Sequence, residues 1–333
     1  MALRIPENYS SKLSLLQTQI AIKKLKDFFE RQLAYELNLI RVTAPLFVQP
    51  ETGLNDNLNG VEVPVSFTIN DNQELQIVHS LAKWKRMALY KYNIREKKGI
   101  YTDMNAIRKD EQVDNLHSYY VDQWDWEAVI SEKDRNERKL KEIVRRIYKV
   151  LRITDEYIVD EFPQLSRKLP EKIYFITSQE LEDMYPHLTP KEREDKICKK
   201  YKAVFIMQIG KVLKSGQIHD GRSPDYDDWD LNGDILVYNE VLDCGFELSS
   251  MGIRVNKESL LTQLTVANNL ERLELPYHQM IMEEKLPYTI GGGIGQSRLC
   301  MFYLEKAHIG EVQCSVWPHD MVEKCRKNNI FLL

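Results

Sequence analysis

The run TIGGGIGQSRLCMF, Thr289–Phe302, sets four glycines ahead of Arg298 and then turns apolar. Glycine at that density lets a backbone lie close to a ligand, and in enzymes that ligand is often a phosphate. The run is not a dinucleotide fingerprint. A third glycine would have to stand at Gln296, and no acidic residue follows at the required distance after a βαβ unit. It is not a Walker loop, because the chain has no Gly-Lys-Ser/Thr. A second stretch with chemistry to offer is VDQWDWE, Val121–Glu127. Strand alternation puts Asp122, Trp124 and Trp126 on one face and Gln123 and Asp125 on the other. A third is DYDDWDLNGD, Asp225–Asp234. Asp228, Asp230, Asn232 and Gly233 stand at calcium-loop offsets. The twelfth position, however, is Asn239, and the following ILVYN reads as strand, which argues against an EF-hand. Asp225, Asp228 and Asp230 read as a solvated acidic turn. Ser80-Leu81-Ala82-Lys83 has the S-x-x-K spacing without the partner motifs of that enzyme class.

These residues need a frame. Ile22, Leu25, Phe29, Leu33 and Leu37 recur at helical spacing, predicting a helix from Ser11 to Asn38 with a lysine-rich opposite face. Leu140, Val144, Ile147 and Leu151 predict another from about Ser131 to Glu161, stopped by Pro163. Thr189-Pro190 reads as a helix start. LIRVTAPLFVQP reads as extended. ELQIVHS, SYYVDQWDWE, KIYFIT, AVFIMQIGKVL, DILVYNEVL, GFELSSMGIRV and VQCSVW are strand candidates. Several adjoin without room for a crossover helix, so the sheet should be largely antiparallel and the class α+β. With 333 residues and no linker or repeat, a single domain over 1–333 is the simplest organisation. The net charge of -4 disfavours a protein that lives mainly on nucleic-acid phosphates. Five cysteines without a C-x-x-C pair read as reduced thiols. No apolar leader or membrane-length run occurs, so a cytoplasmic protein with no membrane partner is expected.

Three features fall in a telling order. A long helix runs into VTAPL; AIRKDE is followed by a polar loop and LHSYYVDQWDWE; GGGIGQSRL leads into a helix. The triple resembles motifs one, two and three of the class II aminoacyl-tRNA synthetase core, except that Ser297 stands where an acidic residue usually precedes the arginine. DNLNGVE, VHSLAKWKR, LHSYYVDQWDWE, SPDYDDW, LNGDILV, FELSSMGIRV and TIGGGIGQSRL resemble, more closely, the ammonia-dependent asparagine synthetase A family, over essentially the whole chain.

That resemblance implies an α+β class II synthetase-like core, mainly antiparallel and flanked by helices. It implies a single catalytic domain without an anticodon-binding domain, since the first motif helix starts near Ser11. The implied reaction makes L-asparagine from L-aspartate and ammonia, with ATP and Mg2+, through β-aspartyl-AMP. A tRNA synthetase-like paralogue, catalytic or regulatory, is the rival reading. By resemblance, Arg108 clamps the reacting carboxylate against the α-phosphate, and Gln123 touches the reacting carboxyl. Asp56 and Asp125 are candidates for the substrate ammonium, with Ser80 nearby and Asp56 also counted with the catalytic group. Lys85 and Arg254 are candidates for the unactivated carboxylate, and Ser250 joins the substrate set. His117, Asp227, Gly293 and Arg298 join Arg108 around ATP, with Asp234 and Glu247 holding the metal. An isologous homodimer is also implied, with the apolar stripe of the first helix as independent support.

Overall fold

A computed structural model of the chain describes residues 3–58 and 60–333; Asn59, within the DNLNGVE stretch, lies outside the described residues. Eleven strands are described: β1 (Leu39–Arg41), β2 (Phe47–Val48), β3 (Ser66–Thr68), β4 (Glu74–Ile77), β5 (Gly99–Ile107), β6 (Tyr120–Val129), β7 (Tyr174–Thr177), β8 (Ala203–Met207), β9 (Asp227–Asn239), β10 (Cys244–Arg254) and β11 (Thr289–Gly295). The described helices are α1 (Leu15–Leu37), α2 (Ala82–Lys91), α3 (Glu137–Glu161), α4 (Ser178–Met184), α5 (Pro190–Tyr201), α6 (Lys257–Val266), α7 (Pro276–Met282), α8 (Gln296–Tyr303) and α9 (His319–Lys327).

One sheet of eight strands runs in the order β1-β5-β6-β11-β10-β9-β8-β7. Its outermost pairs, β1 with β5 and β7 with β8, are parallel; the five between them are antiparallel. A small sheet, β2-β4-β3, stands apart. The α+β, mainly antiparallel expectation is met.

Both long helices begin later than their periodicity predicts, because caps set the starts. Ser14 accepts from the Gln17 amide in a capping box, and Asn136 accepts from Lys139. Asn38 ends α1 in the left-handed region at φ 57°. The apolar stripe of α1 turns inward: Leu25, Phe29 and Leu33 are fully buried, packed in one core with Val144, Ile147 and Leu151 of α3. Phe29 meets Trp124 of β6 at 4.9 Å between ring centroids. The stripe is therefore covered by its own chain and gives no support to a dimer. Thr189 caps α5 through a capping box with Glu192, as its sequence predicts.

The VQCSVW segment is not a strand. It is tied by side chains instead, Gln313 to Asp122 and Ser297, and Ser315 to Ser118. Strand β5 is absent from the sequence candidates because Thr102, Asp103 and Asn105 interrupt its apolar run. No described helix is long and apolar enough to cross a membrane.

Candidate active site

Strand register lines up four positions across the middle of the sheet. Asp125 on β6 faces Gly293 on β11, Gly293 faces Ser250 on β10, and Ser250 faces Asp234 on β9. Directly opposed residues share a face of the sheet. At roughly 4.8 Å per strand the row spans about 14 Å. Over it lies a cavity of about 520 Å³ lined by Asp56, Ser80, Lys85, Arg108, His117, Gln123, Asp125, Asp227, Glu247, Ser250, Arg254, Gly293 and Arg298. Of the candidate residues only Asp234 is not part of the lining.

The glycines of β11 make room first for protein groups. A Cβ on Gly293 would lie 2.3 Å from Gln123 Oε1 and 2.9 Å from Asp125 Oδ1. One on Gly291 would lie 1.9 Å from Glu127 Oε2 and 2.7 Å from Arg254 Nη2. The polar side chains of β6 thus lie flat over β11, which no side-chain-bearing residue would allow.

At one end of the cavity the charges are buried and paired. Lys85 Nζ donates to Asp125 Oδ1 at 2.9 Å and to the Gly292 carbonyl at 3.1 Å. Arg254 donates to Glu127 Oε1 and Oε2 through Nε at 2.9 and 3.1 Å, and through Nη2 to Oε2 at 2.6 Å. Its Nη1 pairs with Asp227. Burial pushes the Lys85 ammonium below the usual lysine range, against the pull of Asp125. Burial acts to raise the Glu127 carboxyl, but the Arg254 guanidinium outweighs it and holds the carboxyl low. Asp56 is buried and its carboxylate accepts from the Leu58 amide at 2.9 Å. The Leu81 amide donates to Asp125 Oδ2 at 3.3 Å, which places Ser80 beside that carboxylate. Asp227 lines the cavity as well and is held at this end by Arg254.

At the other end the two arginines are loosely held. Among the described residues, Arg108 Nη2 reaches the His79 carbonyl alone, at 3.4 Å, and its Nε is buried without a hydrogen-bond partner. Arg298 Nη1 donates to the Glu247 carbonyl at 3.1 Å and stands 3.5 Å from the Glu247 carboxylate. His117 Nδ1 lies 2.9 Å from Asp114 Oδ1.

At the β9 end of the row, Asp234 takes a 2.6 Å hydrogen bond from Arg222 Nη2. Burial pushes its carboxyl up to about 7, Arg222 opposes this, and Glu247 and Asp220 add to the rise. Carboxylates crowded in this way suit a cation. No group of three or more His, Cys, Asp or Glu among the described residues could hold a metal ion. Two carboxylates fit Mg2+, which usually takes only one or two from protein and completes its shell with substrate phosphates and water.

Sequence reasoning missed several residues here. Arg222, from the loop before β9, joins Ser250 to Asp234 and is almost wholly buried. Glu127 continues the Gln123–Asp125 face and was legible by period alone. His79 lines the cavity with Nδ1 3.1 Å from the Asp56 carbonyl, and burial lowers its pKa. Two members of the supposed solvated turn are buried. Asp225 is wholly enclosed and binds Lys83, Arg272 and His278 at 3.1, 3.1 and 2.9 Å. Asp228 pairs with Arg135. Only Asp230 is exposed, beside Lys211. A carboxylate this deep in the fold persists because three cationic or donor groups surround it.

The model of the aspartate-ammonia ligase family matches residues 16–329. The chain is 64% identical over 325 residues to an aspartate–ammonia ligase of Fusobacterium nucleatum subsp. nucleatum, covering 98% of this chain and 99% of the relative. It is 62% identical over 331 residues to that of Clostridium tetani, covering 99% and 97%. Among solved structures it resembles asparaginyl-tRNA synthetase from Pyrococcus horikoshii complexed with asparaginyl-adenylate, with TM-score 0.65 at 15% identity over 90% of this chain and 70% of that one. An aspartyl-tRNA synthetase from Entamoeba histolytica gives TM-score 0.59 at 15% identity, over 89% and 58%. At these identities the structural likeness speaks to the fold, a class II synthetase core.

Proposed function

The chain belongs to the aspartate–ammonia ligase family, and from that premise we propose how its residues divide the reaction. The enzyme joins L-aspartate to ammonia to give L-asparagine. The β-carboxylate attacks the α-phosphorus of ATP, the bond to pyrophosphate breaks, and β-aspartyl-AMP forms. Ammonia then adds to the acyl carbon, loses a proton, and AMP leaves with the bonding electrons.

The observation that carries this reading is the division of one cavity into a closely paired, buried end and an end whose two arginines are more loosely held. The paired end takes the amino acid. Asp125, with Ser80 and Asp56 close by, receives its ammonium. Lys85 and Arg254 face its unactivated carboxylate, and Ser250 lies between the ends. Gln123, one alternation along β6, touches the reacting carboxyl. The more loosely held end takes the nucleotide. Bringing a carboxylate against a phosphate requires cations at the contact. Arg108 supplies one as a planar fork that bridges both anions. Arg298, His117 and the β11 backbone around Gly293 hold the rest of ATP, and Asp227 acts from beneath through Arg254. Asp234 and Glu247 would hold Mg2+, which when bound neutralises the leaving pyrophosphate.

A single catalytic domain over 1–333 acts as a homodimer in this reading. Its support is the exposed apolar surface of Leu15, Leu16 and Ile20 on α1 with Ile40 and Phe47 beyond it. Sedimentation at micromolar concentration should give twice the chain mass; a monomer refutes the assembly. The five free cysteines suit a cytoplasmic setting.

The test of the reaction is product analysis with ATP, L-aspartate and an ammonium salt. Asparagine, AMP and pyrophosphate should appear in equal amounts. Glutamine should not replace ammonium; equal rates with both would contradict the assignment.

A further inference from the structure

Gln313 lies just past the short turn Ile309–Glu311, in a segment with no ladder partner. Its amide has a fixed polarity. Nε2 donates to Ser297 Oγ at 3.1 Å and to Asp122 Oδ1 at 3.3 Å. The Ser297 hydroxyl hydrogen is already committed to Asp122 Oδ2 at 2.8 Å, so toward Gln313 that oxygen can only accept. Asp122 also takes the Ser297 amide at 3.0 Å and Lys26 Nζ at 3.2 Å. Turning the Gln313 amide over would set its oxygen against two oxygens. Oε1 must therefore face away from this network, and it is buried with no hydrogen-bond partner.

Gln313 is 4% exposed yet lines the cavity. Its backbone amide donates to Ile309, and the Ile309 amide donates to Asn115, next to Leu116. Leu116 and Ile309 give this end of the cavity an apolar wall, and Arg298 follows Ser297 directly. Apolar sides with one oriented polar group are what a flat heterocycle needs. A buried acceptor held in place is satisfied only by a donor at that position.

The geometry points to Gln313 as the residue that reads the nucleobase: Oε1 accepts from the exocyclic amine of adenine and repels the carbonyl oxygen that hypoxanthine or guanine carries at the same ring position. Ser297, where class II synthetases usually carry an acid, is then the relay by which Asp122 fixes the Gln313 amide. Asp122 and Ser297 are positioning residues; Gln313 touches substrate. This inference rests on the cavity being an ATP site.

The experiment measures kcat/KM for ATP, for purine riboside triphosphate, which lacks the amine, and for inosine triphosphate, which carries the carbonyl. The unaltered enzyme should lose on the order of tenfold on removal of the amine and more with the carbonyl, since a buried acceptor is left unpaired or opposed. Gln313→Met should lower activity with ATP to the level of purine riboside triphosphate, while changing activity with that analogue by no more than about twofold. Equal use of all three nucleotides by the unaltered enzyme overturns the inference. So does an equal loss with all three in Gln313→Met, the signature of a merely structural residue. Thermal melting shows whether the variant folds; if it does not, the three nucleotides on the unaltered enzyme decide alone. Absence of asparagine from ATP itself would sink the ATP-site reading instead, so the two failures are distinct.

Discussion

At the closely paired end of the cavity, Lys85, Asp125, Arg254, Glu127 and Asp227 are each at most 3% exposed, and every one is paired within the group. At the other end, Arg298 stands 3.5 Å from a carboxylate with its side chain 22% exposed, and Arg108 has one long contact to a carbonyl. Both ends are rich in charge, but the charges are set differently. The first set, two cations among three carboxylates, is ion-paired by folding, so it forms a rigid seat whose geometry does not wait for substrate. The second leaves its arginines with few and longer contacts, which in the proposed reaction suits an incoming polyanion. Substitutions at the two ends should therefore fail in different ways.

The largest effect falls on stability. Arg254→Met leaves Glu127 and Asp227 buried without their cation, and breaking a buried pair in this way costs about 3–5 kcal/mol. Denaturant unfolding should record that loss, and adding Glu127→Gln should restore part of it. Arg298→Met, at the open end, should change stability by no more than about 1 kcal/mol. If the two substitutions cost the same, the contrast between the ends is wrong.

Next in size is turnover. Arg108→Lys keeps the charge but loses the planar fork, and removing one such electrostatic donor costs roughly 3 kcal/mol, on the order of a hundredfold in kcat. Unfolding should be unaffected. Near-normal turnover in this variant would remove Arg108 from the contact between the two anions.

Asp125→Asn should act mainly on recognition, raising KM for aspartate by about tenfold and more than it lowers kcat, with ATP binding by calorimetry retained. Lys85 loses its carboxylate but keeps the Gly292 carbonyl, so a moderate stability loss accompanies the change. An unchanged KM for aspartate would place the substrate ammonium elsewhere.

The smallest effect is a pH slope. Burial lowers the His79 pKa in the folded chain, so the unfolded chain takes up a proton first as pH falls. That contribution to stability is complete above the ordinary histidine value, and it fades as pH drops below it. His79→Gln should flatten the slope; a slope left unchanged would show that His79 is not its source.

The face assignment on β6 held for Gln123, Trp124, Asp125 and Trp126 because alternation is a local property; Asp122, expected beside the tryptophans, also lines the cavity. Trp124 and Trp126 are wholly buried, while Gln123 and Asp125 line the cavity. The motif order also located the glycine strand and Arg298. What a local pattern could not reveal was pairing at a distance. Asp225 read as a solvated turn because its partners, Lys83, Arg272 and His278, lie 142, 47 and 53 residues away. VQCSVW has strand-like composition, but among the described residues no strand pairs with it. Arg222 sits in an irregular loop where periodicity carries no information. The stripe on α1 was legible as apolar, but its cover by α3 of the same chain was not.

The central claim is that the aspartate carboxylate attacks the α-phosphorus of ATP across the junction of the two ends. Aspartate labelled with 18O in its β-carboxylate tests this directly, by mass spectrometry of the nucleotide and phosphate products. One labelled oxygen should appear in the phosphate of AMP, with unlabelled pyrophosphate alongside. Label in orthophosphate, released with ADP, would contradict it.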